Sequence, residues 1–296
     1  MPNLRDIEKR ITSTEGTKQI TRTMEMVAAA KIRRAQERID ATAPYSEAIS
    51  EVLSNVAANA GTIIHPLLET HKELKRIILV VVVSDRGLAG GFNGNILRMA
   101  EKFIAEKEAE GIKVDLILSG KRAVGYFEHR GADPIVSFSD ISDKPTFAMA
   151  KEIATRVITD YSNDEADEVV LMYNWAKNVA EQVPTQMQIL PISTDFAERK
   201  EDDGDTKVLE AQYLFEPSAH EVLKKLLPTY VEMTIFRALL DSAAAEQGAR
   251  RKAMKSATDN ASELIQVLTR SYNRARQAAI TTEIAEIVGG AAALEG

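Results

Sequence analysis

The chain has 296 residues, 45% hydrophobic and 27% charged, with a formal net charge of -7; this is globular composition, long enough for a sizeable core or two domains. Zero cysteines exclude a disulfide, a thiolate metal site and a thiol nucleophile, and the acidic balance argues against nucleic acid as a main partner. Aromatics are only 5%, low for one compact core and normal for long alanine-rich helices.

The opening MPNLRDIEKRI lacks the apolar stretch of a secretory signal, and no run of about 18 apolar residues is available for a direct membrane span. Residues 1–60 read as one long helix, capped by Asn3. Leu4, Ile7 and Ile11 begin an apolar seam that Ile20, Met24, Val27 and Ile39 continue imperfectly. Gly16 is a weak point, Pro44 is expected to kink or break the helix, and Gly61 to close it. Roughly 40 residues of helix already extend about 60 Å, so this element needs a partner of similar length.

Residues 75–215 change grammar. Strands are expected at KRIILVVVVSD, Val114 to Ser119, Ile135 to Phe138, Glu168 to Tyr173, VPTQMQILPI and VLEAQYLFEP. Helices over Asn95 to Glu110, Arg122 to Arg130 and Thr146 to Tyr161 alternate with the first four. That order predicts a central Rossmann-like α/β domain with a mostly parallel sheet and an antiparallel last edge. ERKEDDGDT reads as a polar loop. Residues 218–290 then form a second long helix, opened by the capping box Ser218 and Glu221, with Pro228 and Gly248 as weak points.

Within it, Met254, Ala257, Ala261, Leu264, Leu268, Ser271, Ala275 and Ala278 alternate at three and four residues, a heptad seam. Much of that seam is Ala or Ser, which lets two backbones approach closely. Other faces are basic: Arg250, Arg251, Lys252, Lys255, Arg270, Arg274 and Arg276 stand against few acids. The predicted fold class is therefore α/β, with a long antiparallel coiled coil of the N- and C-terminal helices, 1–60 pairing with 218–290, beside the central domain.

Chemistry is sparse. The turn SDRGLAGGFNGN sits between strand and helix, where α/β proteins bind phosphates. It has no Walker lysine, no G-x-G-x-x-G and no G-x-S-x-G elbow around Ser84 and Asp85. The blander reading is a structural turn in which Gly87, Gly90 and Gly91 supply unusual backbone angles. His65, His71, His129 and His220 are expected to lie far apart, so neither a metal nor a cofactor is expected. From the residues alone, a mechanical or scaffold protein leads and a soluble α/β enzyme is its rival.

Three blocks go further. KRITSTEGTKQITRTMEMVAAAKIRRAQ, SDRGLAGGFN and ATDNASELI…YNRARQAAITTEIAEIVGGAAAL resemble, in the same order, the gamma subunit of F-type ATP synthase. The resemblance implies the central rotor shaft of a proton-translocating enzyme, coupling c-ring rotation to catalysis in the beta subunits, with no catalytic residue of its own. Its implied partners are three alpha and three beta subunits, epsilon and the membrane c ring, at the cytoplasmic face of the bacterial plasma membrane. It also implies that Met24 and Arg250 face an acidic lever of beta. Arg276, Gln277, Thr281 and Glu283 would touch beta higher up, and Ile284, Ile287 and Val288 would form an apolar bearing tip. The family's frequent cysteine in the glycine turn is Ala89 here, and the long regulatory insertion of photosynthetic members is absent.

Overall fold

The computed structural model describes residues 4–59, 65–178, 181–193 and 218–295. The expected Asn3 cap, the Gly61 terminator, the ERKEDDGDT loop and the VLEAQYLFEP strand lie outside these residues. Five strands form one sheet in the order β3-β2-β1-β4-β5. They are β1 Arg76–Val82, β2 Lys113–Ser119, β3 Val136–Phe138, β4 Glu168–Ala176 and β5 Gln182–Leu190. All neighbours pair in parallel except β4 with β5, which is antiparallel. The helices are α1 Leu4–Asn59, α2 Phe92–Ala109, α3 Lys121–Glu128, α4 Phe147–Ser162 and α5 Ala219–Glu295. A long antiparallel pair of terminal helices and a mixed α/β sheet together make up the fold.

The chain divides into two compact units, Met1–Ala29 with Arg250–Gly296, and Ala30–Ala249. In the larger unit, β1 is a continuous apolar run because both faces of the sheet are covered. Its even residues, Ile78, Val80 and Val82, join a core with α4 and the adjoining parts of α1 and α5, including Leu53, Val56, Leu223, Leu227 and Val231. Its odd residues, Ile77, Leu79 and Val81, face the opposite core with Ile96, Ala100 and Phe103 of α2 and Ala123 and Phe127 of α3. Asp167 pins the start of β1. It accepts backbone N–H bonds from Lys75 and Arg76, both 2.8 Å, and pairs with His71 Nδ1 at 2.9 Å.

Neither internal proline ends its helix: α1 runs through Pro44 and α5 through Pro228. A proline leaves the carbonyl four residues earlier without its donor. Those carbonyls belong to Asp40 and Lys224, both exposed residues, so the lost bond falls on the solvent side of each helix. Ser218 caps α5 as expected, its Oγ accepting from Glu221 N at 3.2 Å.

The smaller unit keeps most of the expected seam and corrects it at a few positions. On α5 one buried and half-buried stripe runs Met254, Thr258, Ala261, Ile265, Leu268, Tyr272, Ala275, Ala279, with Ala257 and Ala278 beside it also half-buried. Six of the eight expected seam positions are kept, and only Leu264 and Ser271 are exposed. Leu264 is 43% exposed and its place is taken by Ile265. On α1, Ile20 and Val27 are 62% and 51% exposed, although both were expected in the seam. The packed face instead runs Ile7, Ile11, Thr14, Lys18, Thr21, Glu25, Ala28 in a strict four-three alternation. Side-chain polarity misleads here, because threonine carries a methyl, and lysine and glutamate carry apolar stems that can be covered while the charged end stays in water.

Thr21 Oγ1 and Thr258 Oγ1 meet at 2.7 Å across this helix pair. Thr21→Val removes one partner, but Thr258 keeps its bond to Met254 O at 2.9 Å. The expected loss is about 1 kcal/mol, or about 2–4 °C in a thermal melt. A change above about 3 kcal/mol would show that the hydroxyl pair does more than satisfy itself.

Candidate functional site

In a doubly wound sheet, ligands bind at the carboxyl ends of the strands where the order reverses. Here that point lies between β1 and β4, and the turn from Ser84 to Gly91 stands over it. The left-handed angles fall at Leu88 (φ 64) and Gly90 (φ 58). Gly91 has ordinary backbone (φ -80) as the N-cap of α2. Gly87 is also outside the left-handed set, and a Cβ there would come 2.8 Å from Arg122 Nη2. The unusual angles therefore belong to Leu88 and Gly90, not to all three glycines.

The polar groups of the turn are used internally. Ser84 is fully buried. Its N–H donates to Asn93 Oδ1 at 2.9 Å, and its hydroxyl lies 2.5 Å from Arg86 O and 2.9 Å from Asn93 Oδ1. Asp85 Oδ1 accepts from the backbone N–H of Lys121 at 3.0 Å and of Asp140 at 2.9 Å, and Oδ2 from Ser142 N at 2.9 Å. Burial alone would raise this carboxyl, but the donors of Ser142, Lys121 and Asp140 outweigh it and hold it below the usual range. Asp85 thus puts its own anion at the start of α3, where a phosphate would otherwise sit.

The crevice itself is filled. Ala89, Phe92 and Ala245 are buried together, with Ala176 and Ala249 packed against them. The buried amide of Asn174 donates to Phe92 O at 3.1 Å. From Ala238 to Gly248 every residue of α5 is buried, so the helix is enclosed on all faces. Alanine, serine and glycine make up much of this stretch, which is how it fits so closely against the strand ends. Asp241 is enclosed too, bonded to Arg237 Nε at 3.3 Å through both oxygens. Burial pushes its carboxyl up against the pull of Arg237. Burial and the Asp241 charge push the Tyr173 hydroxyl to about 12. Sequence reasoning missed Asn174 and the enclosed stretch, whose one signal was the small-residue run SAAAEQGA in a helix otherwise rich in long side chains.

Two histidines expected to be far apart lie near enough to feel each other's charge: burial, and then the charges of His220 and Lys224, hold His65 below its ordinary value. They meet because the start of α5 returns to the segment after α1. Among the described residues no group of three His, Asp or Glu side chains is placed to hold a metal, and no helix is long and apolar enough to cross a membrane.

The residues singled out on the terminal helices are not gathered into a pocket. Met24 is half-buried and Arg250 is 9% exposed. Arg276, Gln277, Thr281 and Glu283 are all exposed; Thr281 Oγ1 donates to Gln277 O at 2.9 Å. Ile284, Ile287 and Val288 are 56%, 71% and 62% exposed. Three large aliphatic side chains in water within five residues mark a surface built to be covered.

Residues 3–294 match the family model described as ATP synthase. The ATP synthase gamma chain of Desulforamulus reducens is 49% identical over 295 residues, spanning 100% of both chains. That of Heliobacterium modesticaldum is 47% identical over 294 residues, 99% of this chain and 100% of its own. The chain belongs to the ATP synthase gamma-chain family.

Solved structures share the gamma-chain fold. One is a chain of the Euglena gracilis mitochondrial ATP synthase rotor in rotational state 1, with TM-score 0.63 and 20% identity, covering 94% of this chain and 98% of that one. Another, from the Tetrahymena thermophila mitochondrial ATP synthase central stalk and c ring, has TM-score 0.60 and 24% identity, covering 80% and 99%. A gamma chain is a subunit of a membrane-associated complex. That accounts for a globular unit whose switch-point crevice is packed with its own side chains, combined with a C-terminal helix that leaves Ile284, Ile287 and Val288 uncovered.

Proposed function

We propose that this chain is the central rotor shaft of a proton-translocating F-type ATP synthase, at the cytoplasmic face of a bacterial plasma membrane. It turns with the c ring, beside epsilon, inside three alpha and three beta subunits. Each beta is driven through its conformational cycle as a different face of the shaft passes. ATP synthesis and hydrolysis take place in beta, and this chain contributes shape and contacts, not catalytic groups. The observation that carries the reading is full-length gamma-chain similarity in a protein whose switch-point crevice is occupied by its own α5.

In this reading Met24 and Arg250 lie toward the acidic lever of beta. Arg276, Gln277, Thr281 and Glu283 are contacts nearer the tip, and Ile284, Ile287 and Val288 turn within an apolar sleeve. The exposure of the last seven supports it, since each is available to a partner. The test is to assemble the chain with alpha and beta and follow a fluorescent label on its sheet domain during ATP hydrolysis. The expected result is stepwise rotation; turnover with a stationary label would refute the shaft.

Torque spread over many contacts makes single changes mild. Arg276→Ala is expected to lower coupled turnover by at most about fivefold, as about 1 kcal/mol for an exposed charge implies. Abolition of rotation by that one change would contradict a distributed contact. The rival enzyme reading is disfavoured at this turn, because the side chains of Ser84 and Asp85 are engaged with Asn93, Arg86, Lys121, Asp140 and Ser142 of the chain itself.

A further inference from the structure

We propose that the sheet-bearing unit holds a binding site for one small oxyanion of the phosphate class, in the groove between α1, the β3–α4 connection and α5. Lys31, Arg34 and Arg38 lie at i, i+3 and i+7 on α1 and therefore share one face. They line a cavity of about 50 Å³ together with Asp143, Lys144 and Gln247. Lys31 is already committed, its Nζ bonding both Asp143 oxygens at 2.7 and 2.8 Å. Among the described residues the Arg34, Arg38 and Lys144 side chains make no ion pair or side-chain hydrogen bond, so the groove carries three positive charges beyond the Lys31–Asp143 pair.

A second, independent feature points into the same space. Gln247 is only 4% exposed, yet its amide bonds to no described residue and faces this cavity. An amide at that position can donate to an oxyanion held in the groove. The floor beside it is apolar, formed by Leu240 and Ala243, which are 2% and 8% exposed. An anion there is partly shielded from water, which strengthens its attraction to the surrounding cations. The space holds three or four waters at about 10–15 Å³ each. That suits one tetrahedral ion and excludes a nucleoside.

Such an ion would tie α1 to the β3–α4 connection and to α5 through their charges. The site is separate from the switch-point crevice and from the contacts assigned above, and it stands or falls independently of rotation.

The test is calorimetric titration of the full chain with inorganic phosphate in chloride buffer of matched ionic strength. One saturable site per chain is expected. Arg38→Gln and Lys144→Gln, both at exposed positions, should each weaken it about tenfold or more, as loss of one charge-assisted bond implies. Arg33→Gln, on the same helix but paired outward with Glu37, should leave it unchanged. Absence of saturable binding, equal loss in Arg33→Gln, or no loss in the two groove variants would each overturn the proposal. Tighter binding of ADP than of phosphate would overturn the small-oxyanion assignment.

Discussion

Gly120→Ala is expected to destabilise the sheet unit by about 3–5 kcal/mol, a large fraction of the roughly 5–15 kcal/mol that holds a domain folded. Gly120 follows β2 with φ 103 and ψ 136, a region that side chains with a Cβ do not adopt without strain. Space is the harder obstacle. A Cβ would lie 2.3 Å from Val83 O and 2.8 Å from Val83 C. These are backbone atoms at the end of the central strand, and no rotamer change can move them. Val83 N is meanwhile tied to Ser119 O at 2.9 Å, and Gly120 N to Phe138 O at 2.8 Å. Relief would have to part β1 from β2 or β2 from β3. Urea unfolding of the full chain followed by circular dichroism reads the loss. Gly16→Ala is the control: nothing lies within 4 Å of a Cβ there, and alanine should stabilise the helix by about 1 kcal/mol. A loss below about 1 kcal/mol for Gly120→Ala would show that the strand ends yield more readily than their bonding implies.

Asp85→Ala should cost about 2–3 kcal/mol, since one carboxylate satisfies three backbone donors from two separate segments. Partial solvent access keeps the figure well below the sum of three charged bonds. The pH dependence follows from the direction of its shift. The folded carboxyl is held below its unfolded value of about 3.9, so its contribution is complete above that value. It is lost as pH falls through the lower, folded value. Asp115 and Asp167 are depressed for the same kind of reason and act in the same acid window. The measurable quantity is therefore the difference between wild type and Asp85→Asn in unfolding free energy between pH 7 and pH 3. That difference should shrink toward the acid end. If it stayed constant, Asp85 would be acting through shape and not through charge.

Much of this was visible before any coordinates. β1 announced itself because a strand covered on both faces must be apolar at every position. The helix start at Ser218 was marked by a side chain that caps, and its hydroxyl does so. The antiparallel β5 edge followed from the missing helix between two strands. The helix-pair register was less legible. Ile20 and Leu264 are hydrophobic and Thr21 and Thr258 are not, yet Thr21 and Thr258 are the pair that meets. Which face of a long helix packs depends on what lies opposite, and composition records only one side of the contact.

The turn after β1 shows the same division at the level of function. Its glycines, serine and aspartate could have served a phosphate or a packed connection, and both readings need the same residues. By itself the sequence determined the strand-helix alternation, the two long helices and the gamma-chain family, because periodicity, caps and ordered motifs are properties of neighbouring residues. Only the tertiary structure decided that α5 lies in the crevice, that Asp85 spends its charge on backbone donors, and that Arg34, Arg38, Lys144 and Gln247 face one space. Those facts join segments tens to hundreds of residues apart, and burial and electrostatics act through distance in space, whatever the separation along the chain.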